Sequence, residues 1–218
     1  MSQIVVELRH VNKKFKKKNI LNNVNLKIYE NHVYGFSGPN GAGKTLTFKT
    51  ILGFIKPNNG DVIVEGKFIR KEVMFAENIG FSIQEYGVLG DKTATENLSL
   101  LNILNNQVET ADTNIQQLLS YVGLDPNSKD KVKHYSLGMK QRLSLAVALL
   151  NDNKILIFDE PTNALDDSGQ DFLVAMINDL KLKGKTILIS SHDKYFLNKI
   201  SDHIFKFNEG TIVGEQIL

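Results

Sequence analysis

The chain has 218 residues, a formal net charge of +2, 42% hydrophobic and 23% charged residues, and neither cysteine nor tryptophan. That is ordinary globular composition for one large domain, and it excludes a disordered chain, a collagen-like repeat, a disulfide scaffold, a thiol nucleophile and a cysteine–zinc site. The longest apolar run, 143–150, falls far short of the ~20 residues that span a bilayer, and the first 15 residues carry charges where a signal peptide has its apolar block, so the sequence reads as soluble and not exported.

The first 37 residues read as short strands at 4–8, 24–28 and 33–37, rich in β-branched and aromatic residues. Tyr29-Glu30-Asn31 reads as a hairpin turn joining the last two. A glycine-rich stretch follows, then a helix at about 43–52 with Phe48, Ile51, Leu52 and Ile55 at helical spacing. Gly53 and Pro57 close it. Residues 61–64 and 79–83 read as further strands. Thr93 with Glu96 is a capping-box pattern opening a helix that runs to about 105. A second helix spans about 112–122 and ends at Gly123. A third starts after Ser136 and carries Leu143, Ala146, Val147 and Leu150 on one face. Strand and helix then alternate: 154–159, about 167–182, 186–190, a short helix, and two strands around Asn208-Glu209-Gly210. The continuous apolar runs 155–158 and 187–189 are those of strands buried on both faces. The outline is a single α/β domain over 1–218, with an antiparallel N-terminal sheet and a helical insertion at about 87–145. The chain shows no internal repeat and no linker that divides it.

Residues 38–45 read Gly38-Pro39-Asn40-Gly41-Ala42-Gly43-Lys44-Thr45, the pattern G-x-x-x-x-G-K-[ST]. A triphosphate needs several donors at close range. Glycines let the backbone curl so that successive N–H groups point inward. The helix that starts near Gly43 adds its positive dipole end. Lys44 reaches the β- and γ-phosphates, and the Thr45 hydroxyl binds Mg²⁺. The stretch lies between a predicted strand and a predicted helix, the context this motif requires.

Asp159 ends a buried apolar strand and Glu160 follows it. Ligands of open α/β sheets sit outside the carboxyl ends of their strands. Asp159 is therefore placed to hold Mg²⁺ through water, and Glu160 to orient or deprotonate an attacking water.

Tyr135-Ser136-Leu137-Gly138-Met139-Lys140-Gln141-Arg142 opens the third helix of the insertion. Ser136 reads as an N-cap with exposed N–H groups just beyond it, which makes either a plainly capped helix or a second anion site. This stretch resembles the signature motif of ATP-binding cassette (ABC) ATPases, whose consensus is LSGGQ, and with it nearly the whole chain falls into the order of that family.

The resemblance implies a P-loop NTPase core. Phe15 matches the aromatic that stacks on adenine, and Gly38 to Thr45, with Leu46 behind them, match Walker A. Gln84 stands at the Q-loop, contacting Mg²⁺ or the water. Asp159 and Glu160 match Walker B and its catalytic glutamate, Ala164-Leu165-Asp166 the D-loop, and His192 the switch histidine that bonds the γ-phosphate. Ser136, Leu137, Gly138 and Met139 would face the ATP of a second subunit. Leu137 and Met139 depart from the consensus glycine and glutamine, and Met139 has no amide with which to hydrogen-bond.

The implied function is ATP hydrolysis by two nucleotide-binding subunits, like or unlike, that sandwich two Mg-ATP head to tail. They would drive separate transmembrane permease subunits from the inner face of the membrane. The run 136–143 resembles a variant found in cassettes for export of, or immunity to, antimicrobial peptides of the bacitracin and lantibiotic types. Residues 13–18 are five lysines around Phe15, a solvated loop or a basic patch toward nucleic acid or an anionic membrane. Nucleic acid is not the expected partner, because the two-cassette and coiled-coil architectures of the members that act on it are missing. Tyr86, Val88 and Leu89 would line a groove for a permease helix or pack within their own loop.

Overall fold

The computed structural model describes residues 3–16, 18–83, 87–104, 111–163 and 165–218. Two sheets form the frame. The strands β1 (Ile4–Phe15), β2 (Lys18–Tyr29), β4 (Asn59–Val64) and β5 (Lys67–Phe68) make an antiparallel sheet in the order β2-β1-β4-β5. The strands β3 (Val33–Ser37), β6 (Ile79–Ser82), β7 (Ile155–Asp159), β8 (Thr186–Ser191), β9 (His203–Asn208) and β10 (Thr211–Ile217) make a second, in the order β10-β9-β3-β8-β7-β6. Within it β3, β6, β7, β8 and β9 run parallel, and β10 pairs antiparallel with β9. Every residue of β3, β7 and β8 is buried, as the apolar runs require of strands covered on both faces.

Those strands alternate between two cores. Ile155 and Ile157 of β7 and Leu188 of β8 join Phe36 and Phe48 in one cluster, beneath α1 (Lys44–Ile51) and the antiparallel sheet. Leu156, Phe158, Ile187 and Ile189 point the other way. They meet the helices α2 (Ala94–Leu104), α3 (Ala111–Tyr121), α4 (Leu137–Leu149), α5 (Asp167–Leu182) and α6 (Lys194–Ile200). Among the described residues no helix is long and apolar enough to cross a membrane.

Three sequence readings change. Tyr29-Glu30-Asn31 is not a hairpin turn: β2 lies in the antiparallel sheet and β3 in the centre of the parallel one, so the turn crosses between sheets. The hairpin is β1–β2, whose tip carries Lys16 at φ 54°. Both of its strands are 12 residues long. Bulges at His10 and Asn23, both at positive φ, carry the pairing on through polar sequence. The side chains of Asn12 and Asn25 hold them through bonds to the backbone of His10 and Asn23. The third change is in α4, which buries Leu145 and Ala148 as well as Leu143 and Ala146. It lies between β6 and the other helices, so it has no single apolar face. The capping box of α2 forms as read: Thr93 N–H donates to Glu96 at 2.7 Å and Glu96 N–H to Thr93 Oγ1 at 3.2 Å.

Candidate active site

The chain leaves β3 at Ser37 and curls through 38–43 before α1 begins at Lys44. Gly38 sits so close to Phe207 that a Cβ would overlap the Phe207 carbonyl oxygen, and Gly43 turns into the helix at φ 106°. The loop is braced from behind. Ala42 C=O accepts from Gly210 N–H at 3.0 Å, and Gly210 C=O accepts from Asn22 N–H at 2.8 Å. In front lies a cleft of about 440 Å³ lined by Asn40, Gly41, Ala42, Gly43, Lys44, Thr45 and Leu46, with Ile20, Lys49, Asp159, Glu160 and Asn163.

Parallel pairing of β7 with β8 brings the rest of the site to that cleft. Thr45 Oγ1 donates to Asp159 Oδ2 at 2.7 Å. Ser190 Oγ donates to Asp159 Oδ1 at 2.6 Å and accepts from Glu160 N–H at 2.8 Å. Glu160 Oε2 meets His192 twice, 3.0 Å from Nδ1 and 3.3 Å from the backbone N–H. Lys44 Nζ lies 3.2 Å from Glu160 Oε1, close enough for charge attraction but off the hydrogen-bonding direction, since Oε1 has no hydrogen-bond partner. The same ammonium donates to Gly38 C=O at 2.6 Å. Lys44, Asp159 and Glu160 are buried, whereas the His192 side chain is 60% exposed at the rim. Glu160 holds φ 49°, rare for a residue with a side chain.

The donor set suits Mg²⁺. Thr45 and Asp159 offer two hard oxygens side by side, and among the described residues no cluster of three acidic or histidine ligands stands near enough to cage an ion. Mg²⁺ is ordinarily bound by one or two protein oxygens together with waters and phosphates.

Phe15, Ser136, Leu137, Gly138, Met139 and Asp166 are not among the residues that line this cleft. Phe15 stands at the end of β1, half exposed, with Lys13 Nζ 5.1 Å from its ring centre. Ser136 caps α4, accepting from Met139 N–H at 3.2 Å. Leu137 is 72% exposed and Gly138 follows it, while Met139 packs partly on the core. Pro39 C=O accepts from Ala42 N–H inside the loop. Asp166 caps α5, accepting from Gly169 N–H at 2.8 Å and Ser168 Oγ at 3.0 Å, and these bonds hold its carboxyl below the usual range. Gln84, Tyr86 and Ala164 lie outside the described residues. Sequence reasoning passed over Ser190 and Asn163. For Ser190 the signal was a serine breaking the apolar run of β8 at its carboxyl end.

The comparisons with known proteins point to one family. The family model for the ABC transporter matches residues 21–163. The lantibiotic transport ATP-binding protein SrtF of Streptococcus pyogenes is 37% identical over 213 residues, covering 97% of this chain and 90% of that one. The bacitracin transport ATP-binding protein BcrA of Bacillus licheniformis is 35% identical over 213 residues, 97% of this chain and 69% of that protein. Among solved structures, a dimeric ATP-binding cassette in a post-hydrolysis state bound to ADP and Pi superposes with a TM-score of 0.87 at 26% identity, over 98% of both chains. A braced phosphate loop, an acid pair at the carboxyl end of β7 and these likenesses converge: the chain belongs to the ABC transporter family and is one of its ATPases.

Proposed function

We propose that residues 1–218 form one nucleotide-binding domain that dimerises head to tail around two Mg-ATP. It drives separate membrane subunits from the inner face of the membrane, in export of, or immunity to, antimicrobial peptides. The observation that carries this reading is the convergence of Lys44, Thr45, Asp159 and Glu160 on the cleft in front of the phosphate loop, with His192 bonded to Glu160 at its rim.

The loop N–H groups cradle the β- and γ-phosphates, and Phe15 stacks on the adenine. Lys44 exchanges the Gly38 carbonyl and the Glu160 carboxylate for phosphate oxygens, which releases Glu160 to take a proton from the attacking water. His192 bonds the γ-phosphate from the rim, and Gln84 reports the nucleotide state. Thr45 and Asp159 would hold Mg²⁺, directly and through water, and the ion would neutralise charge on the phosphates. Ser136, Leu137, Gly138 and Met139 of one copy close over the nucleotide of the other, with Asp166 beside them. The dimeric likeness with ADP and Pi and the names of the bacitracin and lantibiotic relatives support this reading. So does an exposed apolar patch of Phe54, Met74 and Phe75 beside Arg70, a surface suited to an apolar partner segment.

The test is Glu160→Gln. Steady-state ATP hydrolysis should fall by at least ~100-fold while ATP binding persists, and the tagged variant, isolated with Mg-ATP, should bring a polytopic membrane protein with it. An unchanged rate rejects the role of Glu160, and ribosomes or nucleic acid in place of a membrane protein reject the transporter.

A further inference from the structure

Ser190 is fully buried in the six-stranded sheet, in register with Asp159 of β7 on one side and Phe36 of β3 on the other. Its hydroxyl is polar in a run that otherwise reads Thr186-Ile187-Leu188-Ile189. Both of its capacities are engaged. The proton goes to Asp159 Oδ1 at 2.6 Å, and a lone pair takes the Glu160 N–H at 2.8 Å. Asp159 has its other oxygen on Thr45, at 2.7 Å. One short chain of bonds therefore runs from the phosphate loop through Asp159 and Ser190 to the backbone of Glu160. It ends on a residue whose φ of 49° needs its surroundings to hold it.

We propose that Ser190 is a positioning residue of the hydrolytic reaction. Its hydroxyl fixes the Asp159 carboxylate in the orientation that meets Thr45, and it pins the main chain of Glu160 so that the carboxylate projects into the cleft. This role rests on the ATPase reading above. A side chain without the hydroxyl leaves a buried N–H unpaired and one carboxylate oxygen without its donor, at a site that must stay ordered.

The experiment uses the full chain with Ser190→Ala, Ser190→Val and Ser190→Thr, beside the unaltered protein and Glu160→Gln. Two quantities are read: ATP turnover against Mg²⁺ concentration, and the affinity for a non-hydrolysable ATP analogue in Mg²⁺ and in EDTA. The alanine and valine variants should lower kcat about tenfold, with KM for ATP within about twofold. They should need several-fold more Mg²⁺ for half-maximal rate. The gain in analogue affinity on adding Mg²⁺ should shrink, while the affinity in EDTA stays as it was. Threonine has the bulk of valine and keeps the hydroxyl, so Ser190→Thr should exceed Ser190→Val in both readouts.

An alanine variant with unaltered kcat and Mg²⁺ response overturns the role. So does a fall of EDTA affinity in step with kcat, which would assign Ser190 to the fold alone. No turnover in the unaltered protein, or full turnover in Glu160→Gln, overturns the ATPase reading and this role with it. A normal unaltered protein and a silent Glu160→Gln beside an unaffected Ser190→Ala overturn this role alone.

Discussion

At Glu160 a buried carboxylate, a left-handed backbone and an adjacent ammonium meet in one residue. Such a backbone costs on the order of 1–3 kcal/mol and persists only where neighbours over-determine it. The glycines of the phosphate loop show the same dependence on surroundings in two forms. At Gly38 a Cβ would overlap the Phe207 carbonyl, whereas at Gly41, φ 79°, a Cβ would meet nothing within 4 Å. Gly41→Ala should therefore lose only the ~1–2 kcal/mol of a left-handed alanine. Gly38→Ala should lose more and weaken ATP binding as β9 is pushed away, and thermal melting with and without ATP separates the two.

At this scale the site was largely legible in the sequence, because Lys44, Thr45, Asp159 and Glu160 sit in contiguous motifs whose chemistry depends on local order. Ser190 was not. Its partner is 31 residues away, and the pairing depends on a parallel register that no local period encodes.

Between elements, β6 packs directly on α4. A Cβ on Gly80 would overlap the Ala148 carbonyl, and one turn of chain away Ser82 and Ser144 share a 2.7 Å hydrogen bond. Strand and helix are thus in backbone contact, just before the segment that leads to Gln84. Gly80→Ala should destabilise the chain by about 1–3 kcal/mol, read as a lower urea midpoint with an unchanged slope. Arg142 ties the same helix elsewhere: it donates to Val122 C=O at 2.9 Å at the end of α3 and lies 4.5 Å from the ring centre of Phe172 on α5.

Element type and order were readable along most of the chain, since apolar period and capping residues carry them. What escaped was set by partners outside the segment. The outer halves of β1 and β2 are strands because bulges and asparagine side chains hold them, in sequence whose lysines and asparagines have low strand preference. The turn at Tyr29 changes sheets because β3 is apolar on both faces and can be satisfied only in the centre of the larger one.

Across the whole molecule, the six-stranded sheet divides two apolar layers, and Asp202 fastens one end of it. Its carboxylate accepts from Val33 N–H at 2.9 Å and from Lys181 Nζ at 2.5 Å, and its carbonyl accepts from Leu218 N–H at 2.9 Å. Burial pushes its pKa up, but the bonds from Lys181 and Val33 outweigh burial and hold it below the usual aspartate range. A depressed carboxylate contributes stability that is present above its unfolded value, near pH 4, and is lost as pH falls through the folded one. Asp202→Asn should melt below the unaltered protein at neutral pH, and the gap between the two should close as the pH drops below about 4.

The strand order also has a consequence for how the protein is made. β3, which leads into the phosphate loop, pairs with β8 and β9 and with nothing earlier in the chain, and the loop itself leans on Gly210. On the ribosome the loop, at 38–45, emerges well over a hundred residues before the strands that frame it, at 186–191 and 203–208. A nascent chain therefore exposes the nucleotide-binding motif long before it has a sheet to stand on. Competence to bind ATP waits for β8 and β9, so products terminated before them, motif and all, stay unable to draw on the cell's ATP.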